Sequence, residues 1–121
     1  MQKNIRNLDN KKNIYDFRVC SYECDLFKIV NNVSILDWFE NGRYFFVEKI
    51  LNEHPFNIFN TYCLSKFKCN YKSPAKYGDI LEMTTSAKAL LNNKIIFTQV
   101  IIKKKYNKII AKGEFLYEVR K

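Results

Sequence analysis

Ser34-Ile35-Leu36-Asp37-Trp38-Phe39-Glu40-Asn41-Gly42-Arg43-Tyr44-Phe45-Phe46-Val47-Glu48-Lys49-Ile50-Leu51 carries the one long helical pattern in the chain. Ile35, Trp38, Phe39, Gly42, Phe45, Phe46 and Ile50 recur at helical spacing and share a face. Leu36, Val47 and Leu51 widen that face beyond an ordinary amphipathic stripe, so the helix must be covered on most sides. Ser34, with Asp37 three residues on, fits an N-cap with an acidic residue in the first turn; Asn31 or Asn32 could cap one turn earlier. Gly42 in mid-helix costs about 1 kcal/mol relative to alanine. Its expected use is close approach of the helix backbone to a covering sheet. The helix is predicted to end near His54, because Pro55 disfavours helix at the residue before it.

On either side of this helix the sequence alternates with the period of strands. Over residues 14–22, Tyr15, Phe17 and Val19 oppose Asp16 and Arg18. Over 61–71, Cys63, Ser65, Phe67, Cys69 and Tyr71 oppose Lys66, Lys68, Asn70 and Lys72. Ser73-Pro74-Ala75-Lys76-Tyr77-Gly78-Asp79 reads as a turn. Leu81, Met83, Thr85, Ala87 and Ala89 then form one face of a strand, and Asn92-Asn93 marks a hairpin without the usual glycine. Residues 94–104 are apolar on both faces and predict a central strand; after Tyr106-Asn107 comes a last strand, 108–119, with Ile109, Ala111, Phe115, Tyr117 and Val119 inward. A strand, a buried helix and four strands joined largely by hairpins predict an α+β layer in which about five antiparallel strands curl around the helix.

The chain of 121 residues suits one domain, expected over 14–121, with residues 1–13 as a loose lead-in. The first ten residues are polar and basic and lack the apolar run of a secretory signal. No run of about 18 apolar residues predicts a membrane span. The net charge of +9 comes from 17 Lys and only 4 Arg, beside abundant Asn and Ile. That bias reads as background composition rather than a nucleic-acid surface, since arginine does most specific phosphate and base recognition. A basic rim would still attract a polyanionic ligand. Cys20, Cys24, Cys63 and Cys69 form no CxxC pair, and His54 has no partner at ligand spacing, so no metal site is expected. Free, buried thiols and a cytoplasmic location are the corresponding expectations.

Two motifs resemble those of hotdog-fold acyl-CoA thioesterases of the 4-hydroxybenzoyl-CoA thioesterase type. The first is Tyr22, Asp25, Ile29-Val30, Asn32, Trp38-Phe39-Glu40 and Arg43, similar to that family's tyrosine, loop aspartate, valine-rich step and helical E-x-x-R. The second is Tyr71, Pro74-Ala75 and Gly78-Asp79, similar to its Y-x-x-P-A-x-x-G-D turn. The resemblance spans roughly residues 14–119. It departs at Lys28, where the family usually has glycine, and at Ile35, where a tyrosine is common; Asn32 is within the family range. Lys28 implies either a different loop path or a side chain facing the substrate mouth.

The resemblance implies a thioesterase that hydrolyses an acyl-CoA to free acid and CoA. Asp25 would be the nucleophile, giving a mixed anhydride, or the general base on water. The backbone N–H groups of Asn32 and Val33 at the helix N-terminus would stabilise the oxyanion. Tyr22, Phe27, Lys28 and Lys76 are substrate-binding candidates, and Phe59 is a further acyl-pocket candidate. No cofactor is implied beyond coenzyme A as part of the substrate. Glu40 and Arg43 are expected to form an ion pair or a subunit contact rather than act in catalysis. Lys72, Lys76 and Lys103-Lys104-Lys105 could meet coenzyme A phosphates, although a solvated face is their default reading. A homodimer with a continuous sheet, or a homotetramer, is implied. Two alternatives accompany this reading: an acyl-ACP thioesterase, and a non-catalytic acyl-binding hotdog module.

Overall fold

The alternation around Tyr15 and Phe17 becomes β1 (Lys12–Arg18) in the computed structural model, which describes residues 8–120. A 3-10 turn (Ser21–Glu23) leads to α1 (Asn32–Ile50), followed by a short α2 (Pro55–Phe59). β2 (Tyr62–Tyr71), β3 (Ile80–Leu90), β4 (Lys94–Lys103), a second 3-10 turn (Lys104–Tyr106) and β5 (Lys108–Val119) complete the chain. Every strand pairing is antiparallel, and the order across the sheet is β1-β3-β4-β5-β2. This is the expected hotdog architecture, five strands curved about one long helix. Residues 1–7 of the expected lead-in lie outside the described residues. From Leu8 onward the segment belongs to the body of the fold: Leu8 is buried, and β1 starts at Lys12 rather than at 14.

α1 begins as its sequence allows. Asn31 is the N-cap, and its side chain accepts the Ser34 N–H at 2.8 Å, so the earlier of the possible caps is used and Ser34 lies inside the first turn. The helix stops at Ile50, four residues before the expected end. Asn52 turns left-handed at φ 52°, and the Glu53 N–H returns to the Val47 carbonyl. Pro55 then starts α2, whose N-cap is His54 through its Nδ1.

α1 lies across β1, β3 and β4. Phe39, Phe46 and Val47 are fully buried; Trp38 packs edge-on to Phe17, and Phe46 edge-on to Phe97. Gly42 has the expected purpose. A Cβ there would lie 2.7 Å from Gln99 Nε2 and 3.0 Å from Thr85 Oγ1, so only glycine lets the helix backbone approach this close.

Two strands depart from simple alternation, each by one extra residue. In β2 the extra residue is Ser65, which puts Leu64 as well as Phe67, Cys69 and Tyr71 in register with the buried row Tyr117, Phe115, Gly113 and Ala111. Cys63 and Ser65 therefore do not share a face with Phe67. In β5 the extra residue is Ile110, which is buried, while Ile109 is half-buried and Val119 is exposed. The four thiols are free, as expected, but none is buried: Cys20 is exposed and the others are half-buried.

β1 and β2 are the sheet edges. α1 does not extend over β2, so Leu64, Phe67 and Tyr71 remain exposed on its concave side, Phe67 by 54%. No described helix is long and apolar enough to cross a membrane.

Candidate active site

Asp25 sits in a turn that is closed on itself. Its N–H donates to the Ile29 carbonyl at 2.9 Å, and the Lys28 N–H donates to the Asp25 carbonyl at 3.0 Å. Asp25 Oδ1 accepts the N–H groups of Phe27 (2.8 Å) and Ile29 (3.2 Å), while Oδ2 has no partner among the described residues. The carboxylate is exposed, with one oxygen holding the loop and the other open to solvent.

Lys28 explains how this loop does without glycine. Its φ is +63°, the left-handed conformation that a glycine supplies without steric cost. The loop keeps the glycine-type path with a lysine in it. Six described non-glycine residues have positive φ; five are asparagine, which tolerates this conformation, and Lys28 is the sixth.

The two sequence motifs are zipped to each other. Val30 N–H donates to Ala75 O at 2.9 Å, Tyr77 N–H to Lys28 O at 3.0 Å, and Ile29 bridges Lys76. The 73–79 turn is fixed in its own right: Asp79 Oδ2 accepts the Lys76 N–H at 2.9 Å and pairs with Lys103 at 3.2 Å. Ser21, Cys24, Asp25, Lys28 and Tyr77 line an open pocket of about 220 Å³. Burial, and then the carboxylates of Glu23, Asp25 and Asp79, push the Cys24 thiol above its ordinary value. A thiol so shifted is a weaker nucleophile at neutral pH than a free cysteine. Larger hollows of about 420 and 510 Å³ lie on other parts of the sheet and include no candidate residue.

The loop is fastened to the start of α1. Asn31 N–H donates to Glu23 O at 3.2 Å, and Cys24 bridges Val30. Beyond the cap, the N–H groups of Asn32 and Val33 have no acceptor among the described residues. The structure therefore brings Asp25 and Lys28 into one pocket, on a loop that runs through Val30 into the Asn31 cap of α1; the Asn32 and Val33 N–H groups do not line that pocket. It does not bring Tyr22, Phe27 or Lys76 into that pocket within one chain. Tyr22 and Phe27 are 83% and 82% exposed, and Leu26 beside them is 98% exposed. Phe59 is buried, stacked on Tyr44, at a separate hollow of about 300 Å³ that Glu40 also lines.

A family model described as the acyl-ACP thioesterase C-terminal domain matches residues 6–119. The chain belongs to this family. Among solved structures, this acyl-ACP thioesterase-family domain is similar to a hypothetical protein from Aquifex aeolicus at 25% identity, covering 89% of this chain and 99% of that one, with a TM-score of 0.72. A probable thioesterase from Escherichia coli is 23% identical over 88% of this chain and 80% of its own, with a TM-score of 0.75. The 12:0-ACP thioesterase from Umbellularia californica shares the fold at 11% identity and a TM-score of 0.78, over 89% of this chain and 42% of that one. No curated protein sequence matches.

The family's E-x-x-R positions do not form the expected ion pair here. Arg43 is 3% exposed and has no carboxylate partner among the described residues. Its Nη1 donates to Gln99 Oε1 at 3.0 Å and its Nε to the Tyr117 hydroxyl at 2.9 Å, with the guanidinium 4.0 Å from the Phe115 ring centre. Gln99 Nε2 in turn donates to Phe39 O and Thr85 Oγ1. Glu40 is exposed instead. Gln99 escaped the sequence reading, although it is the one polar residue in the inward row Ile95, Phe97, Gln99, Ile101. Glu23 also escaped it. The available signal was Trp38, a core indole whose N–H requires an acceptor.

Proposed function

We propose that the domain hydrolyses acyl thioesters, with the acyl group carried on coenzyme A. The observation that carries this reading is Asp25, a carboxylate anchored through Oδ1 with Oδ2 uncommitted, on the loop that leads directly into α1, whose first N–H groups are unspent. In one form of the reaction Oδ2 attacks the thioester carbonyl, the thiolate departs, and water opens the resulting mixed anhydride. In the other, Oδ2 takes a proton from the water that attacks. In both, negative charge on the carbonyl oxygen falls to the Asn32 and Val33 N–H groups and the positive end of α1. Thiolate leaves readily, so no dedicated acid is required.

Lys28 is the substrate-binding residue favoured by its place in the Asp25 pocket. Tyr22, Phe27 and Lys76 would take part only where a second copy covers them. A homodimer is part of this reading. The bare concave side of β2, with Leu64, Phe67 and Tyr71 along an unpaired edge, supports it, as do the exposed Leu26 and Phe27.

An acyl group on acyl carrier protein is the second substrate reading, favoured by the family description. Free-thiol release from a panel of acyl-CoAs, with the same acyl groups presented on carrier protein, tests both. Turnover on CoA at least equal to that on carrier supports the first reading, and turnover on the carrier alone moves the function to the second. Thermal stabilisation by acyl-CoA with no turnover on either would make the domain an acyl-binding module.

A further inference from the structure

We infer that Glu23 is a positioning residue: its carboxylate ties the Asp25 loop to Trp38 on α1 and so sets where Asp25 stands relative to that helix. The inference rests on the reading of Asp25 as the reacting carboxylate.

Glu23 joins three segments. Oε2 accepts the Trp38 indole N–H at 2.5 Å, Oε1 accepts the Cys20 N–H at 2.7 Å, and the backbone carbonyl accepts the Asn31 N–H at 3.2 Å. One residue thus connects the exit of β1, the cap of α1 and the second turn of α1. Trp38 is 5% exposed and its ring packs on Phe17, so its indole N–H gains a protein acceptor in a part-buried setting where few others are at hand. An ionised carboxylate is the strongest acceptor available for that purpose.

Asp25 is two residues beyond this tether. Its own side chain bonds only inside the loop, to Phe27 and Ile29. Those bonds fix the shape of the loop but not its placement. Placement comes from outside, on the far side from the 73–79 turn, through Val30 and Lys28, and on the helix side from Glu23. Through its side chain Glu23 reaches the second turn of the helix whose N-terminus the Asp25 loop leads into. Removing that bond leaves the backbone bonds to the 73–79 turn, Val30 and Asn31 but no side-chain tie to α1, so the internal bonds of the loop open more often and Asp25 shifts; a shift of about 1 Å is worth as much as 100-fold in rate.

Trp38→Phe tests this by deleting the indole N–H while keeping a ring against Phe17. Glu23→Gln keeps one acceptor oxygen for two donors, so it can still accept from Trp38 only by giving up the Cys20 N–H. Both are measured with the thioester the wild type turns over best, alongside melting temperature and amide exchange at Phe27 and Ile29. For Trp38→Phe, the expected result is a fall in kcat of about 10- to 100-fold, with KM within about twofold. The melting temperature should stay within about 4 °C, and exchange at Phe27 and Ile29 should rise about tenfold. Glu23→Gln should retain more of the wild-type kcat than Trp38→Phe does. Unchanged kcat in Trp38→Phe, or a loss explained by the unfolded fraction alone, overturns the inference. If the wild type turns over no thioester, the proposed function fails on that ground. The exchange arm then decides the tether by itself, and unchanged exchange at Phe27 and Ile29 refutes it.

Discussion

Lys28 holds a conformation that suits glycine, at a cost of about 1 kcal/mol. Lys28→Gly should therefore raise stability by about that amount in denaturant titration; a destabilised variant would mean the lysine side chain makes compensating contacts. Gly42→Ala should act in the opposite sense. Helix propensity alone would favour alanine by about 1 kcal/mol. The added Cβ, however, meets Gln99 Nε2 at 2.7 Å, and overpacking of this kind costs about 1–3 kcal/mol. A net loss measured by thermal or chemical unfolding is expected, and a net gain would show that the helix can lift from the sheet. The Gly42 contact was legible from sequence, because a glycine in so apolar a helix needs a reason. The left-handed path at Lys28 was not, because a lysine carries no signal for positive φ.

Among the elements, α1 was the most legible and the site around it the least. Its face, its cap region and its burial follow from periodicity and composition. Its end does not: Asn52 stops it before Pro55 can, and the proline begins α2 instead. The bulges at Ser65 and Ile110 were equally hidden, since one inserted residue shifts every later side chain by one face while leaving the composition unchanged. Of the two readings of Glu40 and Arg43, an ion pair or a subunit contact, the ion pair does not form: the sheet offers Arg43 Gln99 and Tyr117, which lie far away in sequence. Removing that support, as in Gln99→Leu, strips a buried cation of one of its two acceptors and should cost about 1.5–3 kcal/mol in unfolding free energy. A cost near zero would show that Arg43 reaches water.

At the scale of the whole molecule, the sheet ends in an apolar edge at β2 that one chain leaves bare. Sedimentation equilibrium should give at least twice the chain mass of 14.5 kDa, and Leu64→Asp should shift the population toward monomer with the fold intact. A wild-type monomer at micromolar concentration would remove the dimer from the reading. The fold should also be sensitive to alkali. Burial pushes the Tyr15 hydroxyl up to about 12; partial desolvation and then the Cys69 thiol bring Tyr71, though 41% exposed, to about 12 as well; burial raises Tyr117, whose rise is opposed by Arg43. Each favours the protonated phenol when folded, so this stabilisation is complete below pH 10 and is lost as pH rises toward 12. Melting temperature against pH should fall over that window, and Tyr15→Phe should flatten the fall; an unchanged slope would assign the loss to other groups.

The most direct measurement is acyl-thioester hydrolysis by Asp25→Asn beside the wild type, with folding checked by circular dichroism. Asparagine keeps an oxygen that can accept from Phe27 and Ile29, so the loop should hold its shape while losing the reactive carboxylate. The expected result is a fall in kcat/KM of about 10²- to 10⁴-fold in a folded protein. A folded Asp25→Asn variant with wild-type turnover would contradict the assignment of Asp25 as the group that does the chemistry.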